Sequence, residues 1–142
     1  MEALLLASEL RTALTRLQKK LRSQSAIRRE LSLTELAVIR QLAEHGQLLP
    51  SELARREKVT TQSMSQILHH LAERGYIRRE PQETDRRKVM ISLSGAGQTL
   101  LQTTRHERDE WLSRALQEAC TPAERKLLEQ VLSPLNKLVE FE

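Results

Sequence analysis

At 142 residues, 39% hydrophobic and 30% charged, the chain has one domain's worth of length and the balance of a soluble, helix-rich globular protein. That length suffices to bury roughly two-thirds of the unfolded surface, and with only three aromatics, Trp111, Tyr76 and Phe141, the core must be aliphatic. One cysteine, Cys120, excludes an intramolecular disulfide framework and a cysteine-cluster zinc site, and the net charge of +4 is unevenly placed. Residues 1–93 carry 17 Lys and Arg against 11 Asp and Glu, whereas residues 94–142 carry 6 against 8. A basic front with an acidic tail suits a protein that presents one face to a polyanion.

The N-terminal apolar run, residues 1–10, has no basic lead and contains Glu2 and Glu9, so it starts a helix rather than a signal peptide. No stretch approaches the ~18 apolar residues of a membrane span, and the expected compartment is the cytoplasm. The first helix is expected over residues 4–23. Leu10, Leu14, Leu17 and Leu21 step by four, three and four, a narrow stripe closer to a coiled-coil seam than to a core face. A polar connection, residues 23–31, follows. A second helix starts after Ser32 or Thr34, repeats Leu36, Ile39 and Leu42 inward, and stops at Gly46 as a left-handed cap. A short third helix opens on Pro50 with Glu52 in its first turn, facing Leu53 and Ala54 inward. Thr60 caps a fourth, which ends at Gly75. Helix, short turn and helix within 25 residues make a helix-turn-helix.

The period then changes. A short strand over residues 76–79, a polar loop over residues 80–87 and an alternating strand over residues 88–93 make a wing, with Val89, Ile91 and Leu93 on its buried side. Ser94 caps a long fifth helix running towards Ala119. Its stretch between Leu101 and Trp111 has no apolar residue, and the alternating charges favour an exposed spacer over a polar part of a contact. Thr121 and Glu124 form a capping box that opens a sixth helix, where Leu128, Val131, Leu135 and Leu138 repeat and Pro134 is expected to kink the axis. The expected fold is thus mainly α with a small β-wing: a winged helix-turn-helix at 32–94, flanked by dimerisation segments at 1–31 and 95–142, in one compact domain overall. The dimer contact is expected to use Leu10, Leu14, Leu17, Leu128, Val131, Leu135 and Leu138, because a monomer of this size leaves such stripes partly exposed.

The fourth helix carries the candidate chemistry. Met64, Ile67, Leu68 and Leu71 form its inward face, while Gln62, Ser65, Gln66 and His69, with Thr61 beside them, repeat on the opposite one. Residues 58–72 contain no acid, as a surface lying against phosphates requires. Glutamine pairs bidentately with adenine and threonine packs on a thymine methyl. The helix offers no arginine for guanine, so the expected operator leans towards A·T. Thr60 and Ser63 at the helix start complete the candidate reader set. Arg86, Arg87 and Lys88 project from the wing loop, where cations reach a narrow minor groove, and Asp85 is placed to hold Arg87. His45, His69, His70 and His106 lack a metal-ligand spacing, so no metal or cofactor is expected. With four glycines, no phosphate loop and no nucleophile motif, neither is an enzyme. The alternative to a sequence-specific DNA-binding regulator is a winged-helix protein-interaction adaptor.

Asp85-Arg86-Arg87 followed by Lys88-Val89-Met90-Ile91-Ser92-Leu93-Ser94 and Gly97 resembles the wing signature of the MarR family of transcriptional regulators, D-R-R-x-x-x-V-x-L-T-x-x-G. Leu53-Ala54, Val59-Thr60 and Gly75-Tyr76-Ile77 are similar to the same family, over about residues 33–101 in all. Glu57 and Lys58 depart from its apolar-glycine pair in the turn, a departure expected to strain the turn or re-aim the helix. The resemblance implies a homodimer built from the terminal helices, double-stranded DNA with a pseudo-palindromic operator as partner, and a wing arginine in the minor groove. It also implies a repressor released by an effector, a small molecule or an oxidant, bound between the dimer region and the reader. Cys120 ends a long helix, where the dipole disfavours a thiolate, so a sensing role for it is not expected.

Overall fold

Six helices and three short strands cover most of the chain in the computed structural model, which describes all residues from Met1 to Glu142. In chain order they are α1 (Ala3–Ser23), α2 (Leu33–His45), β1 (Gln47–Leu48), α3 (Pro50–Arg56), α4 (Thr61–Glu73), β2 (Ile77–Pro81), β3 (Val89–Leu93), α5 (Gly95–Ala119) and α6 (Pro122–Val139). Residues 25–106 form one compact unit, and residues 1–24 with 107–142 form a second.

The first unit contains the whole buried apolar core. Leu31, Leu36, Val38, Ile39 and Leu42 meet Leu48, Leu53, Ala54, Met64, Leu68 and Leu71, with Ile77, Ile91 and Leu93 supplied by the sheet. The inward faces expected of α2, α3 and α4 are therefore the core faces, save that Ile67 is only partly buried. The helix starts are held by side chains. Ser32, rather than Thr34, caps α2: its hydroxyl accepts from the Glu35 N–H at 3.1 Å, and Glu35 Oε1 accepts from the Ser32 N–H at 2.9 Å. Glu52 Oε1 accepts from the Leu49 N–H at the start of α3. Thr60 accepts from the Ser63 N–H at the start of α4, and Ser94 from the Gly97 N–H at the start of α5.

Two helices end in the same way with different residues. After α4 the Gly75 N–H donates to Ala72 O and the Tyr76 N–H to Leu71 O, both at 3.0 Å, with Gly75 at φ +78°. After α3 the Lys58 N–H donates to Arg55 O at 3.3 Å and the Val59 N–H to Ala54 O at 3.0 Å, with Lys58 at φ +55°. Each is a Schellman ending, and in the second a lysine holds the left-handed position that glycine occupies without steric cost. The departure at Lys58 thus strains one residue, and α4 still starts at its Thr60 cap. Gly46 takes φ +78° with ψ −62°, so it ends α2 with a positive φ but outside the left-handed helical region.

The structure corrects several expectations. The connection after α1 is not simply polar: it contains a 3-10 turn, Ala26–Arg29, and drives Leu31 into the core. Gln47 and Leu48 pair with β3 at Ser92 and Ile91, so the wing sheet has three strands in the order β1-β3-β2. β2 runs on through Glu80 and Pro81, which pair with Met90 and Val89, and leaves a shorter loop. Val89 lies at the wing tip beyond the core and is exposed, unlike Ile91 and Leu93. Thr104 is buried within the polar stretch of α5, where its hydroxyl donates to Leu100 O at 2.9 Å, so that stretch is not wholly an exposed spacer. Gly97 lies against the chain entering β2. A Cβ there would meet Tyr76 O at 2.1 Å, which gives the glycine of the wing signature a packing reason.

In the second unit α6 runs unbroken through Pro134, which lacks the N–H for one helical bond but leaves the turns on either side helical. Thr121 and Glu124 make the expected capping box. Arg125 Nη1 donates to Leu116 O and Cys120 O and so ties α6 to the end of α5. Lys20 Nζ lies 5.9 Å from the centroid of the Trp111 ring.

Candidate nucleic-acid interface

The α4 surface opposite the core is polar and uncovered. Thr61, Gln62, Ser65, Gln66 and His69 are all exposed, because Met64, Leu68 and Leu71 on the other face turn into the core. Thr60 and Ser63 are exposed too, but their side chains are engaged with each other: the Thr60 hydroxyl donates to Ser63 Oγ at 2.9 Å while accepting from the Ser63 N–H. His69 Nε2 lies 3.1 Å from Glu73 Oε1, one turn on. His70, on the adjacent face, pairs instead with Glu35.

A chain of polar contacts fixes α4 against α2. One Glu35 oxygen accepts from the Ser32 N–H and the other from His70 Nδ1, while Arg74 Nε donates to His70 Nε2 at 3.4 Å. Arg74 Nη1 reaches Glu30 Oε2 at 2.9 Å. An imidazole with its proton on Nδ1 satisfies both of its neighbours. Burial pushes the Glu35 carboxyl up, but the hydrogen bonds from the Ser32 N–H and His70 outweigh it and hold the group below the usual carboxylate range.

The wing tip is organised around Asp85. Its carboxylate accepts from the Arg87 backbone N–H at 3.1 Å, from Arg87 Nε at 3.1 Å and from Arg87 Nη2 at 3.3 Å. The guanidinium beside it holds the Asp85 carboxyl below its ordinary range. The Lys88 N–H donates to Asp85 O and the Gln82 N–H to Lys88 O, which closes the loop. Arg87 is nevertheless 91% exposed, and Arg86 and Lys88 also project into solvent. The pairing of Asp85 with Arg87 expected from sequence is therefore present, and it aims one cation outward beside the exposed Arg86.

The unit of residues 25–106 thus brings together every DNA-contact candidate: Thr60, Thr61, Gln62, Ser63, Ser65, Gln66 and His69 on α4, and Asp85, Arg86, Arg87 and Lys88 on the wing. It also brings in a residue that the sequence did not single out. Arg79 of β2 lines one groove with Gln62, Ser65, Gln66 and His69. Only the strand register reveals this, since nothing in the local pattern of residues 76–79 says which face the arginine takes. Exposed Arg55, Arg56 and Lys58 flank the turn between α3 and α4. The seven dimer candidates all lie in the other unit, where Leu14, Leu17, Leu128, Val131 and Leu138 are exposed and Leu10 and Leu135 half-buried.

A helix-turn-helix with an uncovered polar second helix and a basic hairpin after it defines a winged-helix transcriptional regulator, with a DNA-binding winged helix. The model of the MarR family matches residues 29–88. An uncharacterized HTH-type transcriptional regulator of Mycobacterium leprae is 38% identical over 111 residues, covering 78% of this chain and 77% of that protein. The chain belongs to the MarR family. Among solved structures, a transcriptional regulator from Pseudomonas aeruginosa has 31% identity and a TM-score of 0.79, covering 98% of this chain and 97% of that one. A mutant of S. aureus MepR bound to an oligodeoxyribonucleotide shares the fold, with a TM-score of 0.72 and 17% identity over 94% of this chain and 97% of that one. No helix of the chain is long and apolar enough to cross a membrane.

Proposed function

We propose that the protein is a homodimeric, cytoplasmic, sequence-specific reader of double-stranded DNA that represses transcription from a pseudo-palindromic operator and leaves it on binding an effector. The observation that carries the DNA reading is the exposed polar face of α4, without an acid from Thr61 to Ala72, beside a wing whose tip carries three successive cations. Thr61, Gln62, Ser65, Gln66 and His69 meet base edges in the major groove, with Thr60 and Ser63 at the helix start near a phosphate. Arg86, Arg87 and Lys88 reach the minor groove or its phosphates, and Asp85 orients Arg87. The oligodeoxyribonucleotide in the S. aureus MepR structure supports the same use of this fold. Repression and release by a small molecule or an oxidant rest on the family resemblance.

The dimer reading rests on the apolar stripes left exposed or half-buried in the chain, Leu10, Leu14 and Leu17 on α1 and Leu128, Val131, Leu135 and Leu138 on α6. A two-fold dimer sets its two reader helices ~34–36 Å apart, one turn of duplex, which makes the operator a pseudo-palindrome. Selection of bound sites from a pool of random duplexes tests the whole reading. The expected result is a pseudo-palindrome with half-sites about one helical turn apart, bound with an affinity that falls steeply with salt. An asymmetric or single half-site would refute the dimeric reader. Binding of no duplex at low salt would favour the protein-interaction adaptor instead.

A further inference from the structure

The pairing register decides where Arg79 points. In an antiparallel pair, directly opposed residues project to the same face of the sheet. Ile77 opposes Leu93 and Arg79 opposes Ile91, and Ile77, Leu93 and Ile91 are all buried in the core. Arg79 therefore leaves the sheet on the core-facing side, two residues farther out than Ile77 and past the point where the core ends. There it is exposed and closes a groove with Gln62, Ser65, Gln66 and His69 of α4. Arg78 and Glu80 alternate to the other side of the strand. Within the chain no carboxylate takes the Arg79 guanidinium: Glu73, the acid on α4, pairs with His69.

We infer that Arg79 is a specificity residue of the DNA surface, reading one guanine per half-site in the major groove alongside α4; this rests on the DNA-binding function proposed above. The groove walls are the side chains that face base edges when α4 enters the major groove, so a cation within it meets bases rather than the strand backbone. A guanidinium is planar and gives two parallel donors that match guanine O6 and N7, a match that an ammonium of equal charge does not make. The α4 face itself contains no arginine or lysine, so Arg79 supplies the guanine contact that the helix lacks. The A·T lean expected from the helix alone is accordingly broken by one fixed G·C pair in each half-site.

Site selection from random duplexes with the full-length protein, Arg79→Lys and Arg79→Ala tests this, with thermal unfolding as the check that each variant is folded. Wild type should recover half-sites with one invariant G·C pair. Both variants should recover the same half-site with that pair randomised, and should bind the wild-type site about 5- to 150-fold more weakly. Arg79→Lys should keep the wild-type salt dependence, because the charge remains. If Arg79→Ala instead weakens binding equally on all sequences and lowers the salt slope by about one, the residue contacts a phosphate and the inference is overturned. An unchanged consensus in both variants overturns it too. A wild-type protein that selects no consensus fails earlier, and so refutes the DNA-reading function together with the inference.

Discussion

Lys58 holds a backbone conformation that its side chain disfavours. At φ +55° its Cβ crowds the following carbonyl, a cost of roughly 1–2 kcal/mol that glycine avoids. Part of that gain is offset by the greater freedom of glycine in the unfolded chain. Lys58→Gly should therefore stabilise the protein by about 0.5–1 kcal/mol, and Lys58→Val should destabilise it by a similar amount or more. Urea midpoints with unchanged slopes would measure both. At the wing, the two donors that Arg87 gives to Asp85 keep an otherwise mobile cation pointing outward. Arg87→Ala should weaken operator binding by about 1–3 kcal/mol, and the loss should be larger on sites with narrow, A·T-rich minor grooves. Asp85→Ala should weaken binding less, since the charge survives and only its aim is lost. Titration of labelled duplexes at two salt concentrations separates these cases, and equal affinity for wild type and Arg87→Ala would remove the wing from the interface.

Between elements, Glu35 supplies a polar link from α2 to the reader helix. It caps α2 through Ser32 and contacts α4 through His70, so one carboxylate serves both a helix start and a link to the reader helix. Because hydrogen bonds hold its carboxyl below the usual range, its contribution is fully present above the ordinary carboxylate range and is lost as pH falls through the lowered folded value. Glu35→Ala should cost about 1–3 kcal/mol near neutral pH, from the lost cap and the hydrogen bonds to a charged group. The difference from wild type should shrink in acid, where wild type also loses its carboxylate. Denaturant unfolding from pH 7 to pH 3 reads this directly, and a difference that widened in acid would contradict the sign. The same variant, with its α4 less firmly held, should also bind DNA more weakly at neutral pH.

For the whole molecule, the division of burial is decisive. All fourteen buried apolar residues fall between Leu31 and Leu93, and α1 and α6 contain no buried residue. The terminal helices therefore leave the apolar area of their leucine stripes facing water, at a cost of roughly 25 cal/mol per Å² until something covers it. In the proposed homodimer a second copy would cover both stripes at once through a self-complementary contact. Leu17→Glu combined with Leu135→Glu should give monomers and strongly reduced DNA binding, with the core of residues 25–106 still folded. Sedimentation at micromolar concentration provides the measurement, and a wild-type monomer there would sink the dimer. Dimerisation should also make the melting temperature of wild type rise with protein concentration.

The amino-acid sequence by itself determined whatever depends on neighbours along the chain. Helical periodicity marked Leu36, Ile39, Leu42, Leu53, Ala54, Met64, Leu68 and Leu71 as inward, and all of them are buried. The caps at Thr60, Ser94 and Thr121 were legible because a cap and its partner lie within three residues. Alternation identified β3, and the spacing of Asp85 to Arg87 identified their pairing. Features whose partners are distant in sequence had no such signal. β1 is two residues long and exists only because β3 supplies its hydrogen-bond partners. Leu31 is a core residue because the 3-10 turn before it delivers its side chain among distant apolar residues, and Gly97 is tight because α5 meets Tyr76. Glu35 and His70 are 35 residues apart and meet only once α2 and α4 are packed. Arg79 joins the reader face because strand pairing fixes its side of the sheet, and a one-residue slip would send it to the other. Local propensity chose the elements; long-range pairing and packing decided which side chains became neighbours.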